Sequence, residues 1–399
     1  MSEDAGSPKA TGGEAAGAGQ PGRTSLSELA LLFLRLGATA FGGPAAHIAM
    51  MRDEVVRRRQ WLSDQGFLDL VSATNLIPGP NSTEMAIHVG WARRRWSGLL
   101  VAGVSFILPA MLLTGALGWA YARFGKLPQM SWLLAGVKPV ILAVVLQALW
   151  NFLPTAARTW PLRALGLVAM AASALGVHEL LILLCAGVVV TAARVGRTRS
   201  RAGLRQLIPL LPAGAGTLAT SAVTLPGLFW VFFKIGSVLF GSGYVLLAFL
   251  RADLVQRLHW LSEAQLIDAI AAGQVTPGPV FTTATFVGYL LAGPGGALVA
   301  TAGIFLPAFI FVALSGPLVP RLRASPVAGA FLDGVNVASL ALMAAVTAQL
   351  GRAAIVGVPT AALAAVSAVL LLRFKVSSTW LVLGGAAAGL GLHALGLGQ

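Results

Sequence analysis

Cysteine is almost missing from this chain: one residue, Cys185, in 399. A single thiol excludes a disulfide framework and any metal cluster built on thiolates, and inside its apolar run Cys185 reads as a packing residue. Charge is scarce too, because Asp, Glu, Lys and Arg make up 11% of the residues where soluble domains carry about a quarter. With 57% hydrophobic residues and a mean hydropathy of +0.81, a soluble fold would lack polar groups for its surface. A bilayer removes that difficulty by acting as the apolar solvent. Negative charge is the scarcer sign, with 14 acidic against 28 basic residues and a net charge of +14. Basic loops between apolar spans account for this surplus through the positive-inside rule, so no nucleic-acid partner is expected.

The motifs of common enzymes are also missing. His47, His88, His178, His259 and His393 form no metal-ligand spacing, and no glycine-rich phosphate loop ending in Lys-Ser/Thr occurs. Phe240 stands where an intramembrane serine protease would need a glycine before Gly241-Ser242-Gly243. No enzyme, cofactor or metal is expected.

What is present is a set of apolar runs near 27–51, 97–121, 131–150, 227–250, 297–316, 331–350, 353–372 and 377–397, each long enough to cross about 30 Å of hydrocarbon. The run 162–193 divides into two short helices hinged near His178 and Glu179. The fold class is therefore an all-α polytopic membrane protein with about 10–13 passes. Residues 1–26, rich in Gly, Ala, Ser and Pro with no apolar core, read as a disordered tail rather than a secretory signal.

A fixed offset of 199 residues aligns the two halves. Arg35, Gly37, Phe41 and Gly42 meet Lys234, Gly236, Phe240 and Gly241, Trp61-Leu62-Ser63 meets Trp260-Leu261-Ser262, and Asn75 meets Gln274. Pro78-Gly79-Pro80 meets Pro277-Gly278-Pro279, and after one deletion Leu108-Pro109-Ala110 meets Leu306-Pro307-Ala308. The chain is a tandem duplication, with repeats at 27–193 and 227–399 joined by a basic, Pro/Gly-rich linker at 194–226. Arg52, Arg57, Arg58, Arg59, Arg93, Arg94 and Arg95 have only Arg251 and Arg257 as counterparts, which favours opposite orientation. Counting 206–226 as a pass would make the repeats parallel.

Pro-Gly-Pro inside an apolar run forbids a continuous helix and frees carbonyls that hydrocarbon cannot satisfy. Such breaks survive where protein or a water-filled cavity covers them. Helices restarting at Asn81-Ser82-Thr83-Glu84 and at Val280-Phe281-Thr282-Thr283 would offer amides and hydroxyls suited to an oxyanion, near the midplane. Arg35 and Lys234 each lie within the first span of their half, where a cation needs a cavity or a partner unless it snorkels from the span's end. Small-residue breaks follow them at Phe41-Gly42-Gly43-Pro44 and Phe240-Gly241-Ser242-Gly243. Lys138 is deeper, and its counterpart is Asn336, which suits tuning of charge rather than symmetric coordination. Asp69 and Asp268 are expected to pair with arginines, and Ser63 and Ser262 to cap helices entered from Trp-Leu-Ser, the latter in a capping box with Gln265. Glu84 has no acidic counterpart and is the candidate protonatable group.

Phe41-Gly42-Gly43-Pro44, the acidic-basic stretch to Trp61-Leu62 and Asn75-Leu76-Ile77-Pro78-Gly79-Pro80-Asn81-Ser82 resemble the chromate ion transporter family, in its two-domain long-chain form. The resemblance extends from about residue 28 through the second half. It implies an inner-membrane carrier exporting chromate, with sulfate as an analogue. Composition makes the bilayer the expected partner, and a homodimer is an open assembly state. An oxyanion carrier coupled to protons through Glu84 is the alternative. Ser242-Gly243 replaces Gly43-Pro44 and Val280-Phe281 replaces Asn81-Ser82, so the halves are not expected to contribute equally to one site.

Overall fold

The computed structural model describes residues 24–40, 43–125, 128–198, 222–240, 245–315, 325–374 and 376–394. Among them all regular structure is helical. In the first half α1 is Leu26–Thr39, α2 Gly43–Arg52, running on as a π-helical turn Asp53–Arg58, α3 Asp64–Thr74, α4 Asn81–Phe124, α5 Pro128–Ala156, α6 Trp160–Ala174 and α7 Glu179–Thr198. In the second, α8 is Leu225–Val238, α9 Leu246–Leu250, with a π-helical turn Arg251–Arg257, α10 Glu263–Val275, α11 Thr283–Ser315, α12 Pro326–Ala354, α13 Val358–Phe374 and α14 Ser378–Ala394. The N-terminal tail to residue 23 and most of the expected linker lie outside the described residues.

Local signals set the helix starts. Ser25 and Thr224 accept from the amides of Glu28 and Gly227 to open α1 and α8. Ser63 caps α3, and Ser262 with Gln265 forms the expected capping box of α10. The hinge expected near His178 and Glu179 separates α6 from α7.

Two of the expected spans are not single crossings. The run 27–51 is interrupted after Thr39, and 227–250 after Val238, so α1 and α8 are helices of 14 residues. In the first half the chain then doubles back: Arg35 pairs with Glu54 and Arg59 with Glu28, contacts available only to antiparallel neighbours. By length and composition, four helical segments among the described residues can cross a membrane on their own: Asn81–Phe124, Trp132–Pro154, Val280–Ser315 and Val327–Arg352.

The long helices α4 and α11 are themselves bent into hairpins. Non-helical backbone at Arg94 (φ −140°, ψ 22°) and Arg95 (φ 50°, ψ −131°) divides α4, and Ala292 and Gly293 divide α11 in the same way. In a straight helix Gly90 and Gly98 would stand about 12 Å apart. Here a Cβ on either would strike the other's carbonyl oxygen, and Gly288 and Gly296 repeat the contact. Close approach without side chains is what lets each hairpin shut.

The second arms of α4 and α11 lie antiparallel. Gly103 packs on Phe309 while Gly118, nearer the far end of α4, packs on Tyr289 in the first arm of α11. Tyr121 reaches Asp268, and at the other end Leu99 shares a buried cluster with Val312. The repeats are therefore inverted about an axis perpendicular to these arms. If the arms cross a bilayer, that axis lies in its plane.

The helices sort into two bodies. A core body joins α1–α4 to α8–α11, with α1 on α4, α4 on α11 and α8 on α11. A flanking body is built by exchange between halves: α5 packs on α13 and α14, and α12 on α6 and α7. Small residues allow these contacts too, Gly136 meeting Gly385 and Gly389, and Gly334 meeting Ala186. Leu112, Leu117, Trp119, Trp150, Leu167 and Val188 are exposed, as an apolar solvent requires. Cys185 is exposed on α7 instead of packed, because it falls on that helix's outward face.

Candidate functional site

Each Pro-Gly-Pro turn is docked into the other half. The amide of Gly79 donates to the carbonyl of Leu239 at the end of α8 (2.8 Å), and that of Gly278 donates to Ala40 at the end of α1 (2.9 Å). Gly278 has φ +91°, and a Cβ there would fall 2.8 Å from the Gly37 carbonyl oxygen and 3.0 Å from Ala110. Gly79 has φ +141° and lies by Ala308. The repeated Leu-Pro-Ala segments thus supply the alanines against which the opposite turn rests. Ala110 stands halfway along the second arm of α4 (96–124), so the crossing sits at mid-depth. The helix restarts expected at Asn81 and after Val280 are present.

Polar groups gather unequally around the two turns. Asn81 donates to Asn75 (2.8 Å). The Asn81 Oδ1, the Thr83 hydroxyl, both carboxyl oxygens of Glu84 and Nε2 of His88 are buried without a hydrogen-bond partner among the described residues. Glu84 is fully buried and its Oε1 fills the space beside Gly79. Ser82 is buried as well. In the second half Thr282 and Thr283 spend their hydroxyls on the carbonyls of Pro279 and Val280 (2.9 and 2.8 Å), and Gln274 is buried. Around the two turns, the unpartnered polar atoms among the described residues therefore belong to the first half, while Arg257 Nε, Asp268 Oδ1, Ser339 Oγ and Gln349 Oε1 lie elsewhere in the second. His47, also buried, contacts the Ala40 carbonyl through Nε2 (3.0 Å), the same oxygen that accepts from Gly278.

Arg35 and Lys234 are neutralised by acids of their own half. Glu54, nearly buried, receives Arg35, Arg58 and Arg59, and its counterpart Asp253 receives Lys234 (2.6 Å) and Arg257 (2.9 Å). Arg52 with Asp64 (2.6 Å) recurs as Arg251 with Glu263 (2.5 Å). These pairs keep the 199-residue offset, so the acids Glu54/Asp253 and Asp64/Glu263 were detectable by aligning acidic positions. The docking carbonyls of Ala40 and Leu239 had no side-chain signal at all.

Lys138 is close to Asp268 (3.5 Å), which also accepts from Tyr121 Oη (2.9 Å). The expected arginine partner of Asp268 is thus replaced by a lysine and a tyrosine, because α10 faces α5 and the far end of α4. Asp69 accepts from Gln65 (3.2 Å). Lys138 borders a small, mostly apolar cleft with Ile141, Leu142, Ile267, Ile270 and Thr347. Gly43 opens α2, while Phe41, Gly42, Gly241 and Ser242 lie outside the described residues.

Two inverted repeats whose broken helices interlock at mid-depth define a polytopic membrane protein of the kind built for carrying solutes. The family model for Chromate transporter matches twice, over residues 27–191 and 226–390, and the chain belongs to that family. It is 36% identical over 368 residues to a protein of Cupriavidus metallidurans named chromate transport protein, covering 91% of this chain and 92% of that one. It is 31% identical to a probable chromate transport protein of Synechococcus elongatus, over 84% of this chain and 87% of that protein. The chromate transport protein of Pseudomonas aeruginosa is also 31% identical, over 85% of this chain and 84% of its own. No solved structure matches the chain.

Proposed function

We propose that the protein exports chromate across the inner membrane by alternating access, with the interlocked Pro-Gly-Pro turns as the binding region. The observation that carries this reading is the reciprocal docking of the turns on Leu239 and Ala40. It holds irregular backbone at mid-depth inside protein, as a carrier's substrate site requires. The relatives' names supply chromate as substrate, and sulfate follows as an analogue of the same shape and charge. Asn75, Asn81, Ser82 and Thr83 in the first half, with Gln274 in the second, are the hydrogen-bonding groups available to an oxyanion there, and Thr282 and Thr283 join them only by releasing the carbonyls of Pro279 and Val280. Arg35 and Lys234 lie five residues, about 7.5 Å of helix rise, before the docking carbonyls. In their ion pairs they offer a field rather than a bare charge.

Energetics favours outward movement. A dianion leaving a compartment that is negative inside gains about 4.6 kcal/mol per 100 mV, so membrane potential alone suffices to drive export. The test is flux of radiolabelled chromate in sealed vesicles with potential and pH gradient imposed separately. Flux that follows an imposed potential supports the proposal, and flux indifferent to potential refutes it. The buried, unpartnered carboxyl of Glu84 favours a second reading, a carrier of sulfate or another oxyanion coupled to protons. Under that reading flux requires the pH gradient and Glu84→Gln abolishes the requirement.

A further inference from the structure

The two repeats match closely inside the core body but differ in how the core meets the flanking body. In the second half α10 packs on α5, α12 and α14, and α9 packs on α12. In the first half the main partner of α3, the counterpart of α10, is α4. Burial follows. Ile267 is 3% exposed and its counterpart Leu68 is 49% exposed, while Gln274 is buried and Asn75 is exposed. On α10 Leu266 to Ala271 are all buried, whereas on α3 only Phe67, Ala73 and Thr74 are. One face of the core is seated and its equivalent is not.

We propose that this structure is one of two related states, and that in the other the core shifts so that α3 takes the seat on α12 and α7 while α10 leaves α5 and α14. The inference rests on the alternating-access reading above and specifies its moving contact. The repeat supplies the occupant, which is this chain's own flanking body. The counterpart of the α5 surface that receives α10 is the α12 surface around Asn336, and α3 carries Leu68 and Asp69 at the positions of Ile267 and Asp268. In that state Asp69 meets Asn336 as Asp268 now meets Lys138. Lys138 and Asp268 form an ion pair and Asn336 and Asp69 cannot, so the state described here is favoured at rest. Lys138 is thus a positioning residue that sets the ratio of the two states.

Paired cysteines on a Cys185→Ala background test this, using a short bismaleimide as the probe. Asp268→Cys with Lys138→Cys reports the seated state, and Asp69→Cys with Asn336→Cys reports the other. The second pair is expected to cross-link within one chain, faster when chromate and an imposed potential are both present, and its cross-linking is expected to stop flux. In a chain carrying Lys138→Gln with the second pair, the cross-linking rate is expected to rise about ten-fold, within the usual range of conformational coupling. Leu68→Cys alone is expected to lose reactivity toward a soluble maleimide during turnover. The inference is overturned if the second pair stays unlinked while chromate flux proceeds, if Lys138→Gln leaves its rate unchanged, or if Leu68→Cys links two chains, which would make α3 a face between copies. Cross-linking of the second pair without any chromate flux would sink the substrate assignment and leave the two-state inference standing.

Discussion

Replacing Gly278 by alanine should harm this protein far more than the same change at Gly293, although both glycines have positive φ. At Gly278 the left-handed backbone (φ +91°) disfavours a side chain, a cost of about 1–2 kcal/mol. The added methyl would also lie 2.8 Å from a backbone oxygen of Gly37 and 3.0 Å from Ala110, in the docked crossing of the two halves. Backbone on one side and a helix on the other leave little room to yield, and forced overpacking adds about 1–3 kcal/mol. Gly293 has φ +61° with nothing within 4 Å of its Cβ position. Its counterpart Arg95 holds φ 50° with a full side chain, so a substitution there meets backbone strain but no steric clash. The difference of about 1–3 kcal/mol should appear as a clearly lower temperature for loss of monodisperse protein in detergent for Gly278→Ala, with chromate flux reduced in vesicles. Gly293→Ala should show only the smaller loss that backbone strain costs, about 1–2 kcal/mol, with flux near the parent. Equal losses for the two variants would refute the crossing as a tight inter-repeat contact and leave only local backbone strain.

Glu54→Gln should destabilise the detergent-solubilised protein by about 1 kcal/mol, because Arg35, Arg58 and Arg59 lose their shared acid but reach solvent, and Arg58 and Arg59 keep Asp53 and Glu28. Arg35→Gln should cost less, since the other two arginines remain on Glu54; thermal unfolding of the two variants side by side checks the order. Gly90→Val and Gly288→Val should each prevent closure of a hairpin, seen as loss of monodisperse protein on size exclusion, whereas Gly384→Val, with nothing within 4 Å, should not. Ser262→Ala should cost about 1 kcal/mol by removing the capping box of α10.

Much of this organisation was legible in residue type and spacing. Trp-Leu-Ser announced helix entries because a serine hydroxyl satisfies an amide three residues on, a local event. Pro-Gly-Pro announced broken helices because proline has no amide to donate, wherever it sits. The interruptions after Thr39 and Val238 were noticed as small-residue breaks, yet the apolar runs around them read as continuous spans. Hydropathy reports what a segment is made of and not whether it turns back. The partners of Arg35, Lys234 and Asp268 were illegible or misread, since ion pairs form between elements whose approach depends on the whole packing.

The sequence by itself determined that this is a duplicated, helical membrane protein with a broken helix in each half and a net positive charge set mainly by its loops. Composition, local hydrogen-bonding capacity and the 199-residue repeat are properties of the chain before it folds. Only the tertiary structure decided that the repeats are antiparallel, that each Pro-Gly-Pro turn is held by a carbonyl of the opposite half, and that α10 is seated where α3 is not. Those features depend on which backbones can approach each other, and that is decided by glycine contacts such as Gly37 with Phe106 and Gly236 with Ile304, tens of residues apart in the chain.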